Sequence, residues 1–343
     1  MSADPAERRF GRRTFVVGLA AGVSALASGG LVELLRRRSA LGYDGLTTRG
    51  PTIDPITSND EFYVVTKNLV DPKVRKGLWR LELGGLVERP RTLGFDELAA
   101  LPSIEQETTL ECISNPVGGG LMSNAVWRGV RLRDLIAAAG PQAEARWVLF
   151  HASDGYTHST PLARALEETK LVAYEMNGEP LPHRHGYPAR IIYPGGYGEL
   201  SVKWIDRIEL SREQVEGYYE QQGWRAERVH TTSRIASPTK AATVEQGSSV
   251  TVSGIAFAGD RGISRVEVSS DDGVTWEEAA IDYSGSELTW ALWSFTWRAP
   301  TPGEHVFVVR ATDGGGELQE EKREGIAPDG ATGFHRRPVQ VGA

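Results

Sequence analysis

Apolar and polar residues alternate at Trp79, Leu81 and Leu83, a period of two that predicts a half-buried strand closing at Gly84-Gly85. Residues 107–110 read as a short strand. Residues 147–150 and 171–174 read as apolar ones, the second followed by the turn Met176-Asn177-Gly178. Helical runs are short: Pro102 stops one at 95–101, Gly140 ends another at 133–139, and Pro161 opens a third that runs through Glu168. No regular βαβ rhythm emerges, so residues 41–231 are expected to make a mixed α+β domain. From Thr232 the pattern turns to strands alone, with alternating runs at Val250 and Val252, Val266 and Val268, Trp293, Phe295 and Trp297, and Val306 and Val308. Asp271-Asp272-Gly273 is a hairpin turn among them. About six or seven short strands within residues 232–343 predict an all-β immunoglobulin-like sandwich.

Composition fits this picture: 40% of the 343 residues are apolar and 24% charged, as in an ordinary globular protein. Charge is unevenly spread. Residues 1–40 hold seven arginines against Asp4, Glu7 and Glu33, which leaves the body at −11 within a total of −7 and argues against a nucleic-acid partner. Arg12-Arg13 runs into an apolar stretch from Phe15 to Ala27, so residues 1–40 resemble a twin-arginine export signal. That stretch makes about 20 Å of helix against a hydrocarbon core of roughly 30 Å, so a cleaved signal is expected, with an uncleaved N-terminal anchor as the alternative. The protein is then periplasmic or otherwise extracytoplasmic. With one cysteine it does not rely on disulfides.

That cysteine, Cys112, stands where a strand runs out into Asn115-Pro116-Val117-Gly118-Gly119-Gly120, a loop with little side-chain bulk. A thiol there fits a small buried hydrophobe, a nucleophile or a soft metal ligand. Residues 182–204 place His185, Arg190 and Lys203 beside strands broken by prolines and glycines, donors that suit a phosphate oxyanion or make a surface cationic cluster. No GxGxxG opens a helix, and no GxxxxGK[ST] or GxSxG occurs, so the common nucleotide and hydrolase chemistries lack their motifs.

Four stretches in order carry a resemblance: Leu110-Glu111-Cys112-x-x-Asn115, Ala173-Tyr174-Glu175-Met176-Asn177-Gly178, His185-Gly186-Tyr187-Pro188-Ala189-Arg190 and Gly198-x-x-x-Val202-Lys203-Trp204. Together they resemble the sulfite-oxidase family of molybdopterin-dependent oxidoreductases. The resemblance implies a molybdopterin-binding domain at 41–231 and a dimerisation domain at 232–343. It implies one molybdenum-molybdopterin per chain, with Cys112 as the metal's thiolate ligand. It puts cofactor contacts at Tyr63, Thr66, Asn68, Asp154, His185, Arg190, Ser201, Val202 and Lys203. Lys67 falls where sulfite oxidases carry an active-site arginine, and Trp224 where they carry a tyrosine, with Tyr218 and Tyr219 as alternatives. Two further family arginines are replaced by Pro116 and Val117. The expected activity is two-electron oxygen-atom transfer on a small, not strongly anionic substrate; sulfoxide reduction and sulfite dehydrogenation are the alternatives on the same scaffold. No haem-attachment motif occurs, so electrons are expected to pass to an external cytochrome or membrane redox protein. From another class, an exported non-enzymatic binding module would also use the β domain.

Overall fold

The structure, a computed structural model, describes residues 53–68, 70–225, 228–239 and 242–342. The expected leader lies outside them. Among the described residues no helix is long and apolar enough to cross a membrane. Residues 65–70 belong to a separate unit from the rest of the described chain, and each is described by itself.

Strand β1 (Arg80–Gly85) buries Leu81 and Leu83 and exposes Arg80 and Glu82, as its alternation requires. It pairs with β2 (Arg91–Gly94), after which Glu97 accepts the Gly94 N–H at 2.7 Å and caps α1 (Phe95–Ala99). Strands β3 (Ile104–Glu111) and β4 (Met122–Arg131) form an antiparallel pair joined by the glycine-rich loop. From β4 the chain enters α2 (Leu132–Ala139), which stops at Gly140 with φ 70°, a left-handed position that glycine takes without strain. Then come β5 (Trp147–Ala152), β6 (Thr157–Pro161), α3 (Leu162–Ala165), β7 (Leu171–Met176), β8 (Glu179–Pro180), β9 (Arg190–Ile192) and β10 (Ile205–Ser211).

Two sheets result, one ordered β2-β1-β10-β5-β6 and the other β3-β4-β7-β8 with β9 also on β7. Leu81, Phe150 and Ile208 from the first and Val172, Tyr174 and Ile191 from the second share one core with Leu132 and Ile136 of α2. The Trp79 indole ties into it by donating to the Ile205 carbonyl at 2.9 Å.

Two expectations are corrected. The helix expected at 161–168 is the single turn α3, because between 162 and 168 only Ala165 is buried and no apolar face exists to extend it; Pro161 ends β6 instead. The α+β expectation gives way to a mostly β molecule, since α1, α2 and α3 have 5, 8 and 4 residues. Helical runs this short depend on the sheets they cover.

The second half contributes β11 (Thr232–Ser237), β12 (Thr243–Glu245), β13 (Ser249–Phe257), β14 (Ile263–Ser269), β15 (Glu277–Glu278), β16 (Ala280–Ser284), β17 (Ala291–Arg298), β18 (Gly303–Asp313) and β19 (His335–Gly342). They form a sheet ordered β11-β13-β17-β16 and another ordered β12-β19-β18-β14-β15. Val252, Trp293 and Trp297 of the one meet Val266, Phe307 and Val339 of the other in a second core. The strand number exceeds the expected six or seven because β12 and β15 are pieces of three and two residues at sheet edges.

This half also covers the outer edge of β3, the strand that leads to Cys112. Thr109 donates its N–H to the Leu288 carbonyl at 3.0 Å, Trp290 donates its N–H to Thr109 Oγ1 at 2.9 Å, and the Tyr283 hydroxyl donates to Glu107. An edge strand is thereby satisfied by the second domain.

Candidate active site

Cys112 is held by the last rung of the β3–β4 pair, its N–H donating to the Leu121 carbonyl at 3.0 Å. Asn115 staples the loop that follows: its Nδ2 donates to Glu111 Oε1 at 2.8 Å and its Oδ1 accepts the Leu121 N–H at 2.9 Å. A Cβ on Gly119 would stand 2.3 Å from that Oδ1, so the staple closes only over glycine. From the second domain Arg234 donates to the Gly119 carbonyl at 2.9 Å. The half-buried thiol lies 3.1 Å from Ser114 Oγ. Burial pushes its pKa up, Ser114 opposes, and Glu199 and Glu111 add to the rise. Glu111 is itself pushed up to about 8 by burial.

Across from it lies a buried group of donors. Arg190 on β9 donates to the His185 carbonyl at 3.1 Å and the Ser201 carbonyl at 2.8 Å, lies over the Trp127 ring at 5.1 Å, and keeps its buried Nε without a partner. Burial lowers its pKa to about 10. His185 ends a tight turn, its Nε2 3.1 Å from the Asn59 carbonyl and its ring edge-on to Phe62 at 5.3 Å. Burial and then the Arg190 charge depress it to about 3. Lys203 donates to the Arg184 carbonyl at 3.2 Å and is lowered to about 7 by burial and by Arg190, with Asp71 and Asp154 opposing. After burial, the Arg190 charge is the next cause depressing both His185 and Lys203, and a bound anion would relieve it.

Tyr63 connects the two halves of the site. Its N–H donates to Ser123 Oγ at 3.1 Å, and a Cβ on Gly198 would stand 2.6 Å from its hydroxyl. Burial raises its pKa, and both the Cys112 thiol and the Arg190 guanidinium act on it.

Residues 68–219 match the model of the oxidoreductase molybdopterin-binding domain, and residues 225–327 that of the Mo-co oxidoreductase dimerisation domain. The chain is 38% identical over 146 residues to the uncharacterized oxidoreductase YuiH of Bacillus subtilis, covering 43% of this chain and 72% of that protein. Against human mitochondrial sulfite oxidase it is 33% identical over 321 residues, covering 78% of this chain and 57% of that one. The chain belongs to the sulfite-oxidase family. It spans little more than half the length of the mitochondrial relatives it matches. The crystal structure of the sulfane dehydrogenase SoxCD from Paracoccus pantotrophus shares the fold, with a TM-score of 0.73 at 22% identity over 87% of this chain and 89% of that one.

The cofactor of this family is molybdenum-molybdopterin, and the residues present fit it. Among the described residues no three His, Cys, Asp or Glu side chains form a metal cage, which suits a metal that arrives with most of its donors and takes one protein thiolate. His183 and His185 make no such pair either: the His183 carbonyl accepts the Trp204 indole at 3.0 Å while the His185 ring turns to Asn59. The partnerless Arg190 Nε and the buried cations suit the pterin's phosphate and ring.

The remaining residues named from sequence are placed as follows in this sulfite-oxidase-family chain. Asp154 accepts the Tyr156 N–H at 2.9 Å in the turn after β5, and its charge acts on Lys203. Ser201 Oγ accepts the Tyr193 N–H at 3.0 Å, and the Val202 carbonyl accepts the Ile191 N–H at 2.8 Å. The Ser201 side chain and the Val202 backbone are therefore engaged in holding β9 and the residue after it. Thr66, Lys67 and Asn68 lie in the separate segment, where Lys67 donates to Asn68 Oδ1 at 2.9 Å and the Asn68 N–H to Thr66 Oγ1 at 3.3 Å.

Trp224 packs beside the cluster of Ile113 and Tyr197, whereas Tyr219 is the residue on which the Cys112 charge acts. The turn at Glu220–Gln222 separates the two, and across it the Trp224 N–H donates at 3.2 Å to the carbonyl of Tyr219. Its ring sits 5.6 Å from Tyr156 and 5.2 Å from Tyr218, making a tyrosine wall. Sequence reasoning missed Tyr156 and Glu199. Tyr156 follows the Asp154 turn and could have been sought there, while nothing local marks Glu199, a single carboxylate in a loop.

Proposed function

We propose that this chain is an oxidoreductase that transfers an oxygen atom and two electrons to or from a small substrate that is not strongly anionic, with molybdenum-molybdopterin bound. The observation that carries the reading is the buried Arg190, held by the His185 and Ser201 carbonyls with its Nε left without a partner, in the same domain as the Asn115-stapled loop that carries Cys112. When bound, the cofactor supplies the two-electron redox chemistry. Cys112 gives a soft thiolate to the metal, and the Asn115 staple fixes where that sulfur points. Arg190, His185 and Lys203 bind the anionic end of the cofactor. Tyr219 and Tyr156 line the substrate side with apolar rings that exclude bulk water.

Molybdenum and pterin analysis of the purified protein, followed by redox assays against sulfoxides, N-oxides and sulfite, tests the reading. Turnover of a neutral oxide supports it; protein without molybdenum and pterin returns the chain to the binding-module class. Sulfite dehydrogenation is the second reading, favoured by the similarity to sulfite oxidases. It is separated by the sulfite specificity constant with an artificial acceptor.

The resemblance of residues 1–40 to a twin-arginine leader supports a location outside the cytoplasm, with an external electron-transfer protein as partner. The second domain serves as an immunoglobulin-like homodimerisation module.

A further inference from the structure

Glu199 has no counterpart among the residues that the resemblance assigns. It lies in the loop between β9 and β10, which is pinned at both sides. Gly198 donates its N–H to the Glu111 carbonyl at 2.7 Å, one residue before Cys112, and the Ser201 carbonyl accepts Arg190 at 2.8 Å. The Glu199 carbonyl accepts the Tyr156 hydroxyl at 3.0 Å, which fixes the backbone against the tyrosine wall. The side chain contributes nothing comparable: both carboxyl oxygens are shielded from solvent and neither has a hydrogen-bond partner.

A buried carboxyl without partners is costly to keep, and such groups persist at sites where a ligand completes them. Around this one the groups that feel its charge are Cys112, Tyr156, Tyr197 and Tyr219. Burial raises its own pKa to about 7, and Glu220 adds a like charge. The cations of the site act elsewhere, Arg190 on Tyr63 and His185. Positive potential thus gathers at the cofactor-anchoring end, while the end shared by the thiol and the tyrosines carries a negative group.

We propose that Glu199 selects the substrate by charge: its carboxyl sets a negative field beside Cys112, so that the site admits a neutral or cationic molecule and rejects dianions such as sulfite and sulfate. The inference deepens the proposed function and rests on it, since it assumes that substrate binds beside Cys112. Pro116 and Val117, where the family carries arginines, leave that field without compensation from the cysteine loop.

Sulfate is the probe, a dianion whose binding is read at equilibrium without turnover. Its affinity is measured by calorimetric titration of the molybdenum-replete wild type, Glu199→Gln and Glu199→Asp, at about pH 8, where an ordinary carboxyl is ionised. Removing one negative charge from a poorly solvated site is expected to tighten sulfate binding about tenfold or more in Glu199→Gln. Glu199→Asp keeps the charge and is expected to bind sulfate as the wild type does. The KM for sulfite should fall with sulfate affinity in Glu199→Gln. Equal sulfate affinity in wild type and Glu199→Gln, or an equal gain in Glu199→Asp, would overturn the role of Glu199 and leave the proposed function standing. Recovery of neither molybdenum nor pterin from any of the three would overturn the proposed function and this inference with it.

Discussion

At Cys112 the protein keeps a soft sulfur under tension between burial, which disfavours the thiolate, and Ser114, which favours it. A metal resolves that tension by taking the thiolate. Cys112→Ser is expected to lower turnover below about a tenth of wild type, because a hard oxygen donor replaces a soft one. Pterin should stay bound through Arg190, His185 and Lys203, which release of pterin on denaturation checks. Glu111 gives a second outcome at this scale. Its folded pKa of about 8 lies above the ordinary carboxylate value, so in the cofactor-free protein the folded state holds a proton that the unfolded chain releases. The stabilisation is present below the unfolded pKa and is lost as pH rises through about 8. Thermal unfolding midpoints measured from acid to mildly alkaline pH should fall in the wild type, by a few kcal/mol of stability at most, and Glu111→Gln should flatten that slope.

The element that the site depends on is the loop from Cys112 to Leu121. Its ends are held by β3 and β4, its middle by one asparagine, and its outer side by Arg234 of β11. Asn115→Ala removes both staples at a buried position and leaves Glu111 Oε1 and the Leu121 N–H without those bonds. A cost of about 2–4 kcal/mol is expected from two lost buried hydrogen bonds. The measurement is chemical unfolding together with molybdenum content, which should fall more steeply than stability because the sulfur's direction is lost. Wild-type molybdenum content in the variant would show that β3 alone aims the thiol. The loop's glycines belong to the same device: Gly118 has φ 75° and faces the His335 ring, where a Cβ would stand 2.3 Å from it.

Across the whole molecule, the second domain acts as part of the site's support. It seals the edge of β3 through Thr109, Leu288 and Trp290, and the Arg164–Asp260 ion pair at 3.7 Å makes a further bridge. The proposed export of the folded chain rests on Arg12-Arg13 ahead of the apolar stretch from Phe15 to Ala27. Replacing Arg12 and Arg13 by Lys is therefore expected to leave cofactor-loaded protein in the cytoplasm, as read by fractionation and molybdenum analysis. Unchanged appearance outside the inner membrane would remove the export reading.

Much of this protein was legible in the chain itself. Alternation placed β1, β13 and β17, because strand burial is a local pattern of period two; Gly140 and Asp271-Asp272-Gly273 marked their turns because few other residues take those backbone angles. The lone cysteine before an Asn-Pro-Val-Gly-Gly-Gly run and the donors at 185, 190 and 203 marked candidate chemistry, which the family resemblance narrowed to molybdopterin. Other features were decided only by tertiary structure. Residues 162–168 keep only the single turn α3 because among them only Ala165 is buried in a core. Glu199 became a buried charge only when the loops from β5, β9 and β10 closed around it. Local pattern encodes which face of an element is covered, but a group's electrostatics depends on distances to residues far along the chain, and only the folded packing sets those distances.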